Sequence, residues 1–222
     1  MSGPPAVSNL HPSDLFKPRM RGWMHAVAAP ISLVAGIVLV IAARGSRVPL
    51  VIYTVTLVAM FGTSAAYHRG RWSAAGRRVW QRLDHSTIFI FIAGSYTAYA
   101  AVALPSGKAT VILVVVWIGA VVGVGLQLFW PSAPRWFSAP SYAALGWVSV
   151  FVLPELLHHG GVAALTMLCV GGALYSLGAV TYAIRRPNPF PSTFGYHEVF
   201  HACVVVAAVC HYIGLWFALP SS

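Results

Sequence analysis

Two histidines four positions apart, His197 and His201, are the first residues of this chain whose spacing suggests chemistry. On an α-helix, residues four apart share a face and are separated by about 6 Å along the axis. Two imidazoles in that relation are able to bind one metal ion. Ser64 and His68 have the same spacing in an earlier part of the chain. The pattern predicts two helix faces that supply polar groups to a site.

Taken together, His68, His197 and His201 offer three nitrogen ligands and leave a fourth tetrahedral position for water. Three protein ligands plus water is the usual form of a catalytic zinc site. Bound Zn²⁺ lowers the pKa of its water towards about 7, which makes hydroxide available at neutral pH. Asp84 either holds that water by a hydrogen bond or ligates directly, and Ser64 places a second polar group beside it. The sequence therefore predicts a zinc site.

The composition indicates which elements position these residues. The 222-residue chain is 58% hydrophobic and only 8% charged, with a mean hydropathy of +0.75. A soluble domain usually carries about 25% charged residues, because its surface faces water. The net charge of +10 comes from basic residues in short gaps between apolar runs, a pattern that does not suggest nucleic-acid binding. These values predict an integral membrane protein whose surroundings are membrane lipids.

Long apolar runs occupy most of the chain. Each is long enough to cross a hydrocarbon core of about 30 Å, and a chain in lipid satisfies its backbone internally by forming helices. The sequence predicts an all-α integral membrane protein, a bundle of seven transmembrane helices, with residues 1–20 as a disordered tail and 21–222 as the membrane domain. The seven predicted runs are about 23–43, 48–68, 83–103, 109–129, 139–157, 161–183 and 197–219.

The distribution of basic residues predicts the orientation. Eleven of the fourteen Lys and Arg residues lie in the N-terminal segment or in loops predicted to be on the same side of the membrane as that segment. By the positive-inside rule, the N-terminus is cytoplasmic and the C-terminus is outside, in a plasma membrane. The predicted site residues and His25, a further candidate for lining the same cavity, then all lie at cytoplasmic helix ends. Ionisable groups are costly inside a membrane, so the placement of several of them at one depth predicts a functional site.

Two other readings explain part of the same pattern. Residues 197–201 read HEVFH and match the HExxH motif of zinc proteases, in which Glu198 is the general base. A downstream third ligand is missing, because His211 lies about 15 Å further along the helix. Facing histidines in a bundle also bind haem axially. Haem binding leaves Asp84 and Ser64 without a role.

Three longer motifs carry a family resemblance. They are SAAYH (Ser64–His68), LDHSTIFIFIAGSYT (Leu83–Thr97) and GYHEVFH (Gly195–His201). With these motifs, the chain resembles the bacterial hemolysin III family, which belongs with the progestin and adipoQ receptors. It is more distantly similar to the alkaline ceramidases, within one superfamily of membrane hydrolases. The resemblance covers about residues 20–219.

The resemblance implies a seven-helix bundle with zinc near the cytoplasmic face, bound by His68, His197 and His201. It further implies hydrolysis of a lipid amide in membrane-lipid homeostasis, with Asp84 as proton acceptor and Ser64 assisting the oxyanion. The alternative is a non-enzymatic, zinc-stabilised membrane protein: a sensor or regulator of membrane fluidity, or a cytolytic pore.

A lipid-accessible cavity leading to the zinc would distinguish the enzyme from the non-enzymatic alternative. The small residues Ala65, Ala66 and Gly94 suggest where such a cavity lies. No predicted helix carries the continuous polar stripe of an aqueous channel, which argues against a pore.

Overall fold

The computed structural model describes residues 17–130 and 133–219 of the chain. Helices dominate this part, and a short 3₁₀ segment at 148–152 separates the fifth helix from the sixth. The seven α-helices are α1 (Trp23–Ala42), α2 (Val48–Arg69), α3 (Ala74–Ala103), α4 (Ser106–Phe129), α5 (Arg135–Trp147), α6 (Leu153–Ile184) and α7 (Tyr196–Ala218).

Six helical segments of the described part are long and apolar enough to cross a membrane. Five of them are α1–α4 and α7. The sixth is the 48-residue stretch Phe137–Ile184, in which α5, the 3₁₀ segment and α6 follow one another without a loop. The predicted all-α membrane architecture is confirmed. By length and hydropathy, Phe137–Ile184 counts as a single segment.

Two helix bounds differ from the predicted runs. The third helix begins at Ala74, nine residues before the predicted start, because the Ser73 hydroxyl caps it by accepting from Gly76 N–H. An apolar run marks the part of a helix that lies in lipid, whereas a cap marks where the helix begins. The predicted run 139–157 is also not a single helix, since α5 ends at Trp147.

Gly161 interrupts α6. Its φ of 72° and ψ of −178° lie in a region open essentially only to glycine, so regular helix geometry breaks there. The residues before and after it are both helical.

The interior of the bundle holds buried polar residues together with large apolar side chains, and many further aliphatic side chains lie on its exterior. The most extensive helix pairs are α6 with α7, α2 with α3, α1 with α2, and α3 with α4. Large side chains such as Tyr53, Phe61 and Leu215 are fully buried between them. Valine and isoleucine side chains such as Ile41 and Val121 remain exposed on the helix exteriors, as expected of a surface that faces lipid.

The segment before α1 is held against the α6–α7 connection. The backbone N–H groups of Arg19 and Met20 donate to the carbonyl oxygens of Ser192 and Thr193, each over 3.1 Å. Residues 1–16 of the predicted tail lie outside the described residues. These contacts fix where α1 begins relative to the start of α7.

Candidate metal centre

Three histidines from two helices meet at one end of the bundle. His68 lies in the last turn of α2, and His197 and His201 lie in the first two turns of α7. One ring nitrogen from each lies within 4.8 Å of the others. The Nε2 atoms of His68 and His197 are 3.1 Å apart. The structure thus brings together the three residues predicted as metal ligands.

The separation of two members of this histidine triad matches that of two ligands on one tetrahedral metal ion. Two nitrogens at the usual Zn–N distance stand about 3.3 Å apart at a tetrahedral angle, close to the separation of His68 and His197. His68 and His201 are buried, and His197 is half-buried. Nδ1 of His201 has no hydrogen-bond partner in the described structure, which is costly for a buried nitrogen unless another group satisfies it. Three imidazoles form a donor set that suits Zn²⁺.

The two predicted catalytic residues lie beside the triad. Oδ2 of Asp84, near the middle of α3, is 3.8 Å from Nε2 of His68. Ser64, which lies one turn before His68 on α2, is close enough to Asp84 for its hydroxyl to stabilise the carboxylate. Asp84 and Ser64 are both buried. All five predicted site residues are therefore neighbours, although they come from three helices.

His25 of α1 completes the surroundings of the triad. It is buried, and its ring stacks on that of His201, with centroids 3.9 Å apart and planes 7° from parallel. Neither ring nitrogen of His25 has a hydrogen-bond partner in the described structure. The sequence analysis named His25 as a candidate for lining the same cavity, but no local pattern indicates which ring it contacts.

Glu198 has a structural position. It is fully buried, and its carboxylate accepts from the Arg21 guanidinium and, over 2.9 Å, from the backbone N–H of Gly195. The second bond satisfies an N–H at the start of α7, which otherwise lacks a helical partner. The carboxylate is thus engaged at the helix terminus, which argues against the protease reading of the HEVFH motif.

The contact between the three rings also argues against haem. Their centroids lie between 4.5 and 5.1 Å apart. A porphyrin plane needs to insert between its two axial imidazoles, and rings in direct contact leave no room for it. A single small ion is the better match to this arrangement.

An apolar cavity of about 900 Å³ opens between α1, α2 and α7. Phe61 lines it and contacts the ring of His25, with centroids 4.9 Å apart. Since His25 stacks on His201, the side chains of Phe61 and His25 lie in turn between the cavity and the triad. The residues that line this cavity do not include Ala65, Ala66 or Gly94, the small residues that suggested its position. A Cβ at Gly94 would lie 2.1 Å from Oγ1 of Thr56, so Gly94 allows close packing of α2 against α3.

Comparison with known sequences places the chain in a family. A family model described as Haemolysin-III related matches residues 13–212, nearly the whole chain. The chain belongs to the haemolysin-III related family. The predicted resemblance is thereby confirmed, and so is its localisation as a multi-pass protein of the bacterial plasma membrane.

Three relatives illustrate the range of this family. Hemolysin-3 of Bacillus cereus is 27% identical over 204 residues, covering 89% of this chain and 90% of the relative. The Hemolysin-3 homolog of Bacillus subtilis is 27% identical, covering 82% and 84%. Progestin and adipoQ receptor-like protein 1 of Caenorhabditis elegans is 31% identical, covering 71% of this chain but 40% of the longer relative. The family thus connects bacterial haemolysin-related proteins with animal receptors.

Proposed function

We propose that this haemolysin-III family member is a zinc-dependent hydrolase of lipid amides that acts in membrane-lipid homeostasis. The observation that carries the proposal is the placement of the histidine triad, with ring nitrogens within 4.8 Å, next to the inner end of an apolar cavity. A hydrolase for lipids needs both a centre that activates water and a space for an acyl chain. The side chains of Phe61 and His25 lie between these two features.

His68, His197 and His201 would hold the zinc ion in this proposal. Bound zinc supplies Lewis-acid activation of water and polarisation of the amide carbonyl. The two helices α2 and α7 fix the ligands before any substrate binds, so the site needs little reorganisation. His25 limits rotation of the His201 ring by stacking on it.

Asp84 and Ser64 supply the remaining groups. The Asp84 carboxylate accepts the proton of the attacking water and then delivers it to the nitrogen of the leaving amine, so that the amide and water become a fatty acid and an amine. The Ser64 hydroxyl lies close enough to this carboxylate to stabilise its charge. When substrate binds, the same hydroxyl donates to the carbonyl oxygen, where negative charge develops.

The proposed topology has seven spans, with residues 1–20 and the N-terminus in the cytoplasm, 21–222 as the membrane domain, and the C-terminus outside. A 48-residue helical stretch is about 72 Å long, more than twice the hydrocarbon thickness. The break at Gly161 supports dividing that stretch into two spans. A periplasmic reporter enzyme fused after Leu219 should be active, and one fused after Ile184 inactive. Activity after Ile184 and none after Leu219, the pattern that six spans with the same N-terminal side would give, would contradict this topology.

The competing proposal is a membrane protein in which zinc has only a structural role. The observation in its favour is that the triad joins α2 to α7, helices that are far apart in the sequence. In that case, removal of Asp84 or Ser64 leaves function intact as long as zinc stays bound. The two proposals therefore differ in the effect of the same substitutions.

The deciding experiment measures fatty-acid release by the purified, zinc-loaded protein in lipid bilayers. Ceramides of several chain lengths are the substrates, with phosphatidylcholine as a lipid that has no amide bond. Asp84→Asn should reduce release by about 10²–10⁴-fold, the range expected for loss of a general base. Ser64→Ala should reduce it less. Ser95→Ala is the matched control, because this buried serine on α3 donates only to its own helix, at Phe91 O.

The zinc content of each variant separates chemistry from metal binding. The proposal requires that Asp84→Asn retains zinc while it loses fatty-acid release. Release at the wild-type rate by Asp84→Asn would contradict the hydrolase mechanism. Absence of release by the wild-type protein from every ceramide would favour the structural role of zinc.

A further inference from the structure

Four cationic side chains gather where α1 begins. The guanidinium of Arg69 lies 3.6 Å above the ring of Trp23, and that of Arg77 lies 5.6 Å from the ring of Tyr67. Lys17 is close enough to both arginines, and to Arg21, for their charges to act on it. Lys17, Arg21, Arg69 and Arg77 form what we term the inner basic cluster. They come from the segment before α1, the end of α2 and the start of α3.

The charges of this cluster are only partly compensated. In the part of the chain that the structure describes, the carboxylates belong to Asp84, Glu155 and Glu198. Glu198 pairs with Arg21, Glu155 pairs with Lys108, and Asp84 lies beside His68. Three members of the cluster therefore have no carboxylate within salt-bridge distance among the described residues. Burial, followed by the neighbouring arginine charges, lowers the pKa of Lys17. An anion bound among them would relieve this repulsion.

The inner basic cluster lies on the rim of the apolar cavity. Met20 and Trp23 line the cavity, and Trp23 is the residue on which Arg69 stacks. Along α1 the lining extends as far as Gly36. From Trp23 to Gly36 the helix is about 20 Å long, enough to hold an extended acyl chain. The cavity thus joins a cationic end to a long apolar interior, which is complementary to an anionic amphiphile.

We propose that the cavity between α1, α2 and α7 binds an anionic phospholipid, with its phosphate beside Arg69, Arg77 and Lys17 and an acyl chain along α1. Guanidinium groups bind phosphate through paired, charge-assisted hydrogen bonds. Arg21 is already engaged by Glu198 and has a positioning role. The inference uses the same cavity that the proposed function assigns to an acyl chain, but it concerns binding alone and requires no cleavage of the bound lipid.

General attraction of basic residues to an anionic membrane surface is the simpler explanation to exclude. It depends on charge near the surface and does not distinguish one exposed arginine from its neighbour. A defined site does distinguish them. Arg71 and Arg78 are as exposed as Arg69 and Arg77 and lie one or two positions away, but they make neither of the two aromatic contacts. They provide a control with the same change in net charge.

The experiment titrates the detergent-solubilised full chain with phosphatidylglycerol or phosphatidylcholine and counts bound lipids by native mass spectrometry. We expect Arg69→Gln/Arg77→Gln to weaken phosphatidylglycerol binding by at least about tenfold. Arg71→Gln/Arg78→Gln should leave it nearly unchanged. Ser32→Phe, which places a ring in the cavity far from the cluster, should also weaken binding. Leu33→Phe is its control, since Leu33 is exposed on the opposite side and does not line the cavity.

Several results would overturn the proposal. Equal losses in the two arginine pairs would indicate general surface charge, and equal wild-type affinity for the two lipids would remove the role of the cluster. If inorganic phosphate displaced phosphatidylglycerol and Ser32→Phe had no effect, the site would bind a free anion and not a lipid. All variants retain His68, His197, His201 and Asp84, so their zinc content should match the wild type. The result therefore stands or falls independently of whether hydrolysis is observed.

Discussion

The imidazole rings of His25 and His201 lie face to face, with centroids 3.9 Å apart and planes 7° from parallel. This contact joins α1 to the metal centre, although α1 contributes no member of the histidine triad. His25 also contacts Phe61, which lines the apolar cavity. His25 thus lies between the cavity wall and a proposed zinc ligand, and a change in its side chain affects both.

His25→Ala should weaken zinc binding without abolishing it. Loss of the stacked ring frees the His201 side chain, and loss of a group that orients a ligand typically costs about 10–100-fold in metal affinity. His25→Phe keeps a flat ring at the same place and should restore most of the affinity. Competition with a fluorescent chelator measures both variants. Complete loss of zinc in His25→Ala would instead identify His25 as a ligand. An unchanged zinc affinity would show that the His25 ring does not orient His201 for metal binding.

The three histidines of the triad should each be required for zinc. We expect about one zinc per chain in the wild-type protein by elemental analysis. His68→Ala, His197→Ala and His201→Ala should each lose it, because two remaining imidazoles hold the ion too weakly to survive purification.

His211→Ala is the matched control for zinc content. It removes another histidine from α7, where the ring packs near Tyr99 and Tyr175 with centroids 6.1 and 5.3 Å away, apart from the triad. This variant should keep its zinc. Loss of zinc from it, or a zinc-free wild-type protein, would contradict the proposed site.

Glu198→Gln should destabilise the protein and leave its zinc in place. Glu198 is fully buried, and the substitution removes the charge that pairs with Arg21 at the junction of α1 and α7. Breaking a buried ion pair on one side costs about 2 kcal/mol or more. Thermal unfolding in detergent, beside Arg21→Gln as the reciprocal variant, measures the loss. A stable, zinc-loaded Glu198→Gln protein that had lost fatty-acid release would support the general-base reading of the HEVFH motif.

Gly161→Ala should lower stability because of its backbone conformation and not because of a clash. A Cβ at this position meets no atom within 4 Å, but φ is +72°. A side chain in that region costs about 1–2 kcal/mol. Gly172→Ala, a helical position of α6 with equal space, should be neutral or slightly stabilising. Equal unfolding midpoints for the two variants would show that the break at Gly161 does not persist in the membrane.

The sequence by itself determined the class of the protein and the depth of its polar residues. Runs of about 20 apolar residues form helices in lipid because the backbone has no other partner there. Helix periodicity put His197 and His201 on one face, and alternation of helix direction put His68 and Asp84 at the same membrane level. These are local properties or simple consequences of chain direction.

The tertiary structure decided which of these groups touch. Side-chain contacts between helices depend on rotation and packing of whole helices, which no local pattern encodes. For that reason the stacking of His25 on His201, the structural position of Glu198 and the placement of the cavity between α1 and α7 emerged only in the folded bundle. The break at Gly161 likewise depends on a backbone angle, and glycine in a sequence permits that angle without requiring it.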